Sequence, residues 1–510
     1  MRTGNILFIT IDQLRADVVR GALAGFAPMP SLARLMAGGT TFANHFTVTA
    51  PCGPARASLM TGLYAFNHRA IRNGTPLAAH HETLGIELRR LGREPLLFGY
   101  GDIAPDPFDR HPEDPDHFSY ELPPPGFREL TEMRFEDMAE WRAHLLSRGY
   151  SLPEPQPKRL WDIYRPVSPD GAPEGPHDGA PDGAPADLRD PPLYRAEDSD
   201  TAYLTDRVLA QLEARRDHPW TAHVTYIRPH PPFVAPEPWN RLVDAGALPQ
   251  PVSDSAAHPF RDAWFSHASN YGLFIGFDGD CAGLTPQQVA DMRALYLGLA
   301  AEVDHHLGRL LAWLDETGQR DRTLIILTSD HGEMLGDQGY WGKDAPFIAA
   351  HHVPLIICDP QRTGQAGAVI GDITESIDIA PTILDWAGAE PPRAMDGTSL
   401  LPFLEEGRAE VRHTMALTEV EYGRPNRPTR FQRAWNLDDT RANAAILRDA
   451  RWTLIHFNGG LPPLLFDRRD DPHETRNLAT DPAAASEILR LQAALLDRRM
   501  TRANHRLTGK

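Results

Sequence analysis

The chain has 510 residues, enough for a large domain and a smaller second one. It carries 69 acidic and 51 basic side chains, which gives a formal net charge of -18. This excess of acid argues against general binding to nucleic acid or to an anionic membrane, because basic patches hold such polyanions. A small anionic ligand is not excluded, since its affinity depends on local charges and on any bound metal ion.

The first twelve residues contain an apolar run of about seven residues that ends at Asp12. A secretory signal requires a longer apolar region and a small-residue cleavage site, so we expect a buried strand here and no export. No run of about 18 apolar residues predicts a membrane helix. Three cysteines (Cys52, Cys281 and Cys358) argue against a disulfide framework and favour a reducing compartment. We therefore expect a cytoplasmic protein without a membrane partner.

Further along the chain, short apolar runs end abruptly at polar residues, and amphipathic stretches separate them. The runs end at or lead to Asp12, Asp102, Arg228 and His230, Asp330-His331, and Asp359. The stretches at 82–91, 201–216 and 298–316 have the pattern of helices. This alternation predicts an α/β fold with a mostly parallel central sheet flanked by helices. Ligands bind beyond the carboxyl ends of such strands, so we expect Asp12, His230, Asp330 and His331 to share one edge.

Two composition changes predict the domain organisation. Residues 167–193 are rich in Pro, Gly and Asp and repeat D-G-A-P three times, which predicts an exposed insertion. From about residue 405 the alternation weakens, and residues 443–456 and 464–467 resemble antiparallel strands before a terminal helix near 484–499. We therefore predict a catalytic domain at 1–404 and a small C-terminal α+β domain with an antiparallel sheet at 405–510.

The run T-A-P-C-G-P-A-R-A-S-L-M-T-G-L-Y at 49–64 is the main chemical motif. Pro54 suits the first turn of a helix, so Cys52 is expected at a helix N-terminus, where free N–H groups favour an anion. Cys52 is then either a nucleophile beside a bound anion, a small buried residue, or a thiol of low pKa. The pattern C-x-P-x-R favours the first interpretation.

With this motif the sequence resembles the sulfatases, in which the cysteine of C-x-P-x-R is oxidised to formylglycine by a separate enzyme. The resemblance extends over nearly the whole chain. It includes the strand ending at Asp12, T-G-L-Y at 61–64, L-T-S-D-H-G-E at 327–333, E-S-I-D-I-A-P-T-I-L at 375–384, D-G-T-S-L-L-P-F-L at 396–404 and L-F-D-R-R-D-D-P-H-E-T-R-N-L-A at 465–479. It implies an alkaline-phosphatase-like α/β core with a small C-terminal domain. It also implies a hydrated aldehyde, one of whose hydroxyls attacks sulfur or phosphorus while the other later expels the inorganic anion.

The resemblance implies a divalent metal ion held by Asp12, Cys52 as formylglycine, Asp330 and His331. Many sulfatases have two consecutive Asp after the first strand and Asp-Asn in the later motif, whereas this chain has Asp12-Gln13 and Asp330-His331. Fewer carboxylates and an added imidazole suit a transition ion better than Ca²⁺. We therefore favour Mn²⁺, with Zn²⁺, Fe²⁺ and Ca²⁺ as alternatives. Gln13 is either a ligand or a substrate contact.

The D-Q and D-H pairs, together with 68–73, 228–233 and 342–343, resemble the phosphonate monoester hydrolase branch of this family. The resemblance then implies roles for further residues. Arg56 steadies the diol and Asn73 binds a nonbridging oxygen, while His230 and Lys343 serve the leaving group and Tyr100 lines the site. The residues also allow structural interpretations: a surface cation for Arg56, a turn for Asn73, a cap for His230 and core packing for Tyr100.

Asp102 stands where this branch tends to carry a hydroxyl residue. A carboxylate there would repel a dianion, so we expect a preference for singly charged esters over phosphate monoesters. Two histidine pairs, 305–306 and 351–352, are expected at the surface or at caps, because adjacent helical residues point about 100° apart and seldom bind one ion.

These inferences predict a formylglycine hydrolase of phosphonate monoesters and phosphodiesters that also accepts sulfate esters. An arylsulfatase is the main alternative. A transferase of the same superfamily fits less well because membrane helices are absent, and a binding protein on an inactive scaffold would have lost motif residues that are present here. The expected partners are a small anionic ester and a formylglycine-generating enzyme, and we expect a homo-oligomer, either a dimer or a tetramer.

Overall fold

The structure is a computed structural model that describes residues 4–134, 136–153, 160–167, 187–253, 257–269, 271–275, 277, 279–405 and 413–503. Most of the predicted insertion at 167–193 lies outside the described residues. In the described part of the chain, no helix combines the length and the apolar character needed to cross a bilayer. All three cysteines are buried and free.

Within the described ranges, thirteen strands form two sheets. In chain order they are β1 Asn5–Ile11, β2 Thr40–Phe46, β3 Thr49–Ala50, β4 Pro95–Gly99, β5 Arg128–Glu132, β6 Thr221–Tyr226, β7 Thr323–Thr328, β8 Leu355–Cys358, β9 Val369–Glu375, β10 Met415–Glu421, β11 Asn443–Asp449, β12 Trp452–Phe457 and β13 Leu464–Asp467. The larger sheet has the order β5-β4-β6-β1-β7-β8-β2-β9, and the smaller one has the order β13-β12-β11-β10-β3.

The α-helices of the described residues are α1 Ala16–Val19, α2 Pro30–Gly38, α3 Cys52–Thr61, α4 Ala65–His68, α5 Leu84–Arg90, α6 Ala139–Ser147, α7 Asp200–Glu213, α8 Pro259–Phe265, α9 Pro286–Glu316, α10 Ile348–His351, α11 Ile379–Ala387, α12 Arg430–Trp435 and α13 Ala485–Arg502. The sequence predicted α9 only from residue 298. The helix begins twelve residues earlier because Thr285 and Gln288 form a capping box and Pro286 occupies the first turn.

The larger sheet is covered by helices on both faces, which is why its strands are apolar throughout. Successive residues of β1 enter two different cores. Leu7 and Ile9 belong to the core formed with helices α2, α7 and α9. Ile6 and Phe8 belong to the core formed with α3, α5 and α11 on the other face. Strands β4, β5, β6, β1 and β7 run parallel. Strand β8 runs antiparallel to its neighbours β7 and β2, so Asp359 follows its strand at the opposite edge from Asp12.

The smaller sheet is antiparallel from β10 to β13. Its remaining strand, β3, comes from just before Cys52 and pairs in parallel with β10 through Thr49 and Glu419. Helix α13 packs on one face of this sheet through Leu491 and Leu495. The predicted α/β fold, with a mostly parallel helix-flanked sheet and a second antiparallel sheet, is confirmed. The boundary between residues 404 and 405 stays a prediction.

Two adjacent leucines of α6 offer a matched test of this packing. Leu145 is 0% exposed and belongs to the core beneath α7 and α9, whereas Leu146 is 59% exposed. Leu145→Ala is expected to lower the free energy of unfolding by about 2–5 kcal/mol, because it opens a cavity. Leu146→Ala is expected to change it by less than about 0.5 kcal/mol. Urea denaturation of both variants checks the difference, and equal effects would contradict the assigned packing.

Candidate metal-binding active site

The carboxyl ends of three neighbouring parallel strands bring the predicted polar residues to one edge of the larger sheet. Ile11, at the end of β1, lies beside Tyr226 of β6, and Thr10 lies beside Thr328 of β7. Asp12 directly follows β1, and Asp330 follows β7 after one intervening residue. Ligand atoms of Asp12, Cys52, Asp330 and His331 all lie within 4.8 Å of one another, and all four residues are buried.

Cys52 begins helix α3, with Pro54 in its first turn, at the place that the sequence predicts. All ten residues of this helix are buried, so its N-terminus is held inside the protein. The Gly53 N–H donates a hydrogen bond to Asn73 Oδ1 at 2.9 Å. Asn73 is therefore more than a turn residue, because its side chain caps a free donor beside Cys52.

Burial raises the pKa of the Cys52 thiol well above its usual range, and the Asp12 carboxylate raises it further. The unmodified thiol is therefore protonated at neutral pH, which is contrary to the alternative of a low-pKa thiolate nucleophile. In the distances that follow, the Cys52 sulfur atom marks the position of the residue-52 side chain.

Arg56 joins the two carboxylates of the site. It is 1% exposed, and it donates to Asp330 Oδ2 at 3.1 Å and to Asp12 Oδ2 at 3.2 Å. It also donates to the Tyr100 hydroxyl at 2.7 Å, and its guanidinium carbon lies 4.1 Å from the centre of the Tyr100 ring. The Tyr100 hydroxyl donates in turn to Asp12 Oδ2. A surface role for Arg56 is therefore wrong, and Tyr100 is both a core residue and part of the site.

The donor atoms fit a divalent cation. Asp12 Oδ1 is buried and accepts no hydrogen bond from a described residue, an arrangement that is costly unless a ligand completes it. His331 Nδ1 lies 3.0 Å from the Gly332 carbonyl oxygen, so Nε2 carries the lone pair. That atom lies 3.1 Å from Cys52 Sγ and 3.8 Å from Asp12 Oδ1. A hydrogen bond from Nδ1 to a backbone carbonyl, such as the one to Gly332, is typical of metal-bound histidines.

The electrostatics agree with this set of donors. Burial alone would raise the pKa of Asp12, but the charges of Arg56 and Lys343 and the hydrogen bond from Tyr100 oppose it, and the pKa lies below its usual range. Burial lowers the pKa of His331 and favours the neutral imidazole. The site therefore presents an ionised carboxylate and a neutral ring nitrogen, which are the forms that bind metal ions.

Lys343 bridges the other predicted side chains. Its Nζ lies 3.1 Å from Cys52 Sγ, 3.1 Å from Gln13 Oε1 and 2.9 Å from His230 Nε2. Burial lowers the pKa of His230 well below its usual range, and the Lys343 charge lowers it further. Although burial disfavours the charged ammonium, the neighbouring Cys52 and Asp12 raise the pKa of Lys343. The pair is therefore a charged donor and a neutral acceptor.

Gln13, His230 and Asp102 are held in place by their surroundings. Gln13 has a φ of +66° and donates through its amide to Glu333, whose Oε1 also accepts from the Gly342 N–H. The carbonyl oxygen of His230 accepts from buried Arg228 at 3.1 Å. Asp102 has a φ of +56° and is buried, and burial raises its pKa to about 7.

Glu333 ends the motif at 327–333, and the sequence predicts a supporting or structural role for it. Its position five residues after the end of β7 is the signal that could have indicated its link to Gln13. The surface or cap assignment of the histidine pairs is wrong for two members, since His306 and His351 are buried, while His305 is exposed.

The fold and this site define a hydrolase of the alkaline phosphatase superfamily. The Sulfatase family model matches residues 4–389, and a model described as N-sulphoglucosamine sulphohydrolase, C-terminal, matches residues 336–501. The chain belongs to the sulfatase family.

Several relatives are similar over their whole length. The multifunctional alkaline phosphatase superfamily protein PehA of Trinickia caryophylli is 38% identical, with 100% of this chain and 97% of that protein covered. The choline-sulfatase of Rhizobium meliloti is 28% identical, with 99% and 88% covered. Among solved structures, the phosphonate monoester hydrolase SpPMH of Silicibacter pomeroyi has a TM-score of 0.90 at 44% identity, covering 98% of this chain and 96% of that one. The phosphonate monoester hydrolase of Agrobacterium radiobacter has a TM-score of 0.88 at 36% identity, with the same coverage.

Proposed function

We propose that this protein hydrolyses phosphonate monoesters and phosphodiesters, and sulfate esters as side substrates, at a formylglycine formed from Cys52. The observation that carries the proposal is the buried group of Asp12, Cys52, Asp330 and His331 with the Lys343 ammonium 3.1 Å from Cys52 Sγ. The preference for phosphorus over sulfur is supported by the likeness to two phosphonate monoester hydrolases at 44% and 36% identity.

Asp12, Asp330 and His331, together with the modified residue 52, would hold a divalent metal ion. When bound, this ion and the formylglycine would supply an activated oxygen nucleophile and would stabilise negative charge on the transferring group. Two carboxylates and one imidazole favour Mn²⁺, with Zn²⁺, Fe²⁺ and Ca²⁺ as the alternatives. A formylglycine-generating enzyme is therefore a required partner in this proposal.

The remaining residues act through position and charge. Arg56 holds Asp12 and Asp330 in a fixed relation, and Asn73 and Gln13 offer amide groups to the nonbridging oxygens of the substrate. Lys343 stabilises the negative charge that develops on the leaving oxygen and donates a proton to it. His230, neutral and in contact with Lys343 Nζ, accepts a hydrogen bond from the ammonium and keeps it aimed at residue 52.

The charge class of the substrate follows from Asp102. This buried carboxyl lies close enough to Cys52 and Arg56 to influence the pKa of both. Because burial raises the pKa of this carboxyl to about 7, it is ionised mainly above that pH. There it would repel a second negative charge on the transferring group, so singly charged esters are favoured over dianionic phosphate monoesters. Phosphonate monoesters, phosphodiesters and sulfate esters all carry a single charge on the reacting group.

An arylsulfatase is the second candidate, because the same family includes the choline-sulfatase that is 28% identical to this chain. The two candidates share the nucleophile and differ in the preferred central atom.

The test of this function is a rate panel with 4-nitrophenyl esters on metal-loaded protein. The esters are a phosphonate monoester, a phosphodiester, a phosphate monoester and a sulfate. We expect the first two to have the highest kcat/KM. Cys52→Ala is expected to lose at least about 10³-fold on all of them, because it removes the nucleophile. Cys358 is buried at the end of β8, at the sheet edge opposite Asp12, so Cys358→Ala is the control and should keep the wild-type rates. Fastest turnover of the sulfate would favour the arylsulfatase, and undiminished activity of Cys52→Ala would refute the mechanism.

The role of Asp102 predicts a change in charge preference. Asp102→Thr and Asp102→Asn are expected to raise kcat/KM for the phosphate monoester relative to the phosphodiester by about tenfold, which corresponds to roughly 1.4 kcal/mol of relieved repulsion. Asp109→Asn removes the same charge from an exposed position and should leave this ratio unchanged. An unchanged ratio in both position-102 variants would show that Asp102 does not select the substrate charge.

A further inference from the structure

A cavity of about 900 Å³ opens beside the reacting centre. Its lining includes Lys343 and Asn73 of the site, together with residues 421–431 and Arg433 of the C-terminal region. Because Lys343 Nζ lies 3.1 Å from Cys52 Sγ, the cavity is adjacent to the position of the nucleophile. Its volume is within the range of cavities that bind small molecules.

The lining of this cavity is strongly basic in a chain whose net charge is -18. It contains two acidic residues, Asp344 and Glu421, against six cations. The six are Arg72, Lys343, Arg424, Arg427, Arg430 and Arg433. Walls of one charge sign concentrate ligands of the opposite sign, so the cavity attracts anionic groups.

Most of these arginines already have partners within the protein. Arg72 donates to the Gly423 carbonyl oxygen, Arg430 donates to the His267 carbonyl oxygen at 3.1 Å, and Arg433 donates to the Pro428 carbonyl oxygen. Arg424 and Arg427 differ, because neither side chain has an ion pair or a hydrogen bond with a residue that the structure describes. Both are exposed, and their guanidinium groups are therefore available to a ligand.

Hydrogen bonds hold the backbone at Arg424 and at Thr429, two residues after Arg427. The Gln432 side chain accepts the N–H groups of Arg424 and Thr429 at 2.8 and 2.9 Å and donates to the Arg424 carbonyl oxygen at 3.1 Å. The Thr429 hydroxyl donates to the Tyr422 carbonyl oxygen at 2.7 Å. A pinned loop loses little entropy when a ligand binds, which is a property of built binding sites.

The cavity also has an aromatic lining close to Lys343. Trp264 and Tyr271 both line the cavity, and their rings are 15° from parallel with centroids 6.0 Å apart. Tyr271 packs against Gly342, the residue before Lys343. A planar group beyond Lys343 would therefore meet aromatic side chains.

We propose that this cavity is a leaving-group subsite for esters of a planar, aryl-type alcohol that carries a second anionic group. Arg424 and Arg427 bind that anion, a carboxylate or a phosphoryl-type group, and the aromatic pair contacts the ring. Guanidinium forks match such anions through paired hydrogen bonds. The inference rests on the proposed function in one respect, because that function assigns Lys343 to the leaving oxygen.

The test compares three leaving groups on one methylphosphonate: phenol, 3-carboxyphenol and 3-phosphonophenol. The ratio of kcat/KM for each anionic ester to that for the phenyl ester is measured in wild type and in Arg424→Ala/Arg427→Ala. Dividing the two ratios cancels the intrinsic reactivities of the esters. In the Arg424→Ala/Arg427→Ala variant we expect the ratio for each anionic ester to be about tenfold or more below the wild-type ratio, mainly because KM rises. The kcat/KM for the phenyl ester should change by less than about twofold. Arg424→Lys/Arg427→Lys should give an intermediate fall, because it keeps the charge but not the fork.

The control is Arg20→Ala/Arg393→Ala, which removes the same charge from two exposed positions outside the cavity. Its ratio should stay at the wild-type value. An unchanged ratio in the Arg424/Arg427 variant, or an equal fall in the control, overturns the subsite. A further ester carries the carboxylate on the alkyl group that stays bonded to phosphorus, and its kcat/KM ratio should be the same in the variant and in wild type. A fall in the ratio for this ester alone would overturn the assignment to the leaving group.

Failure of the proposed function has a different signature. If wild type cleaves none of the phosphonate esters but does cleave phenyl sulfate, the same ratios are measured with sulfate esters of the three phenols. A fall confined to the Arg424/Arg427 variant then supports the subsite even though the preference for phosphorus is wrong.

Discussion

The site depends on one buried interaction, the contact of the Arg56 guanidinium with Asp12 and Asp330 at the end of two neighbouring strands. Two carboxylates buried side by side repel each other, and a single buried cation reduces this repulsion without satisfying every oxygen. Asp12 Oδ1 is left without a partner among the described residues. The neutral His331 and residue 52 face the same space, so a cation bound at this point would complete the site electrostatically.

The C-terminal region is part of the same construction. Strand β3, two residues before Cys52, pairs with β10 and so ties the start of α3 to the second sheet. The chain that follows β10 supplies the loop 422–429, which carries Arg424 and Arg427, and then α12 beside the reacting centre. The larger sheet therefore carries Asp12, Asp330 and His331, while the smaller sheet supports the start of α3 and contributes to the wall of the proposed subsite.

Much of this arrangement could be predicted from the sequence. Apolar runs that end at Asp12 and Asp330 located the carboxyl edge, and the C-x-P-x-R run placed Cys52 at a helix start. These signals are local, because burial on both faces and helix-start chemistry act over a few residues. The same locality explains why the antiparallel direction of β8 was not predictable, since strand direction is set by the whole sheet.

The cavity was missed for a related reason. Its walls come from segments far apart in the chain, and its arginines lie in a loop that reads as an ordinary polar turn. The available signal was the recurrence of arginine at every third position, Arg424, Arg427, Arg430 and Arg433. Periodicity alone could not show that the Gln432 side chain binds the backbone of this loop at Arg424 and Thr429. The positive φ of Asp102 likewise depends on tertiary packing.

The central claim is that Asp12, residue 52, Asp330 and His331 hold one divalent cation. Anomalous X-ray scattering at the manganese edge, from crystals of protein stripped with a chelator and reloaded with Mn²⁺, tests it directly. A single strong peak within about 2.0–2.3 Å of Asp12 Oδ1 and His331 Nε2 is the expected result. A strong peak at another place in the protein would contradict the account. So would the absence of a peak in this group at saturating Mn²⁺, if crystals loaded with Zn²⁺, Fe²⁺ or Ca²⁺ also show no peak there.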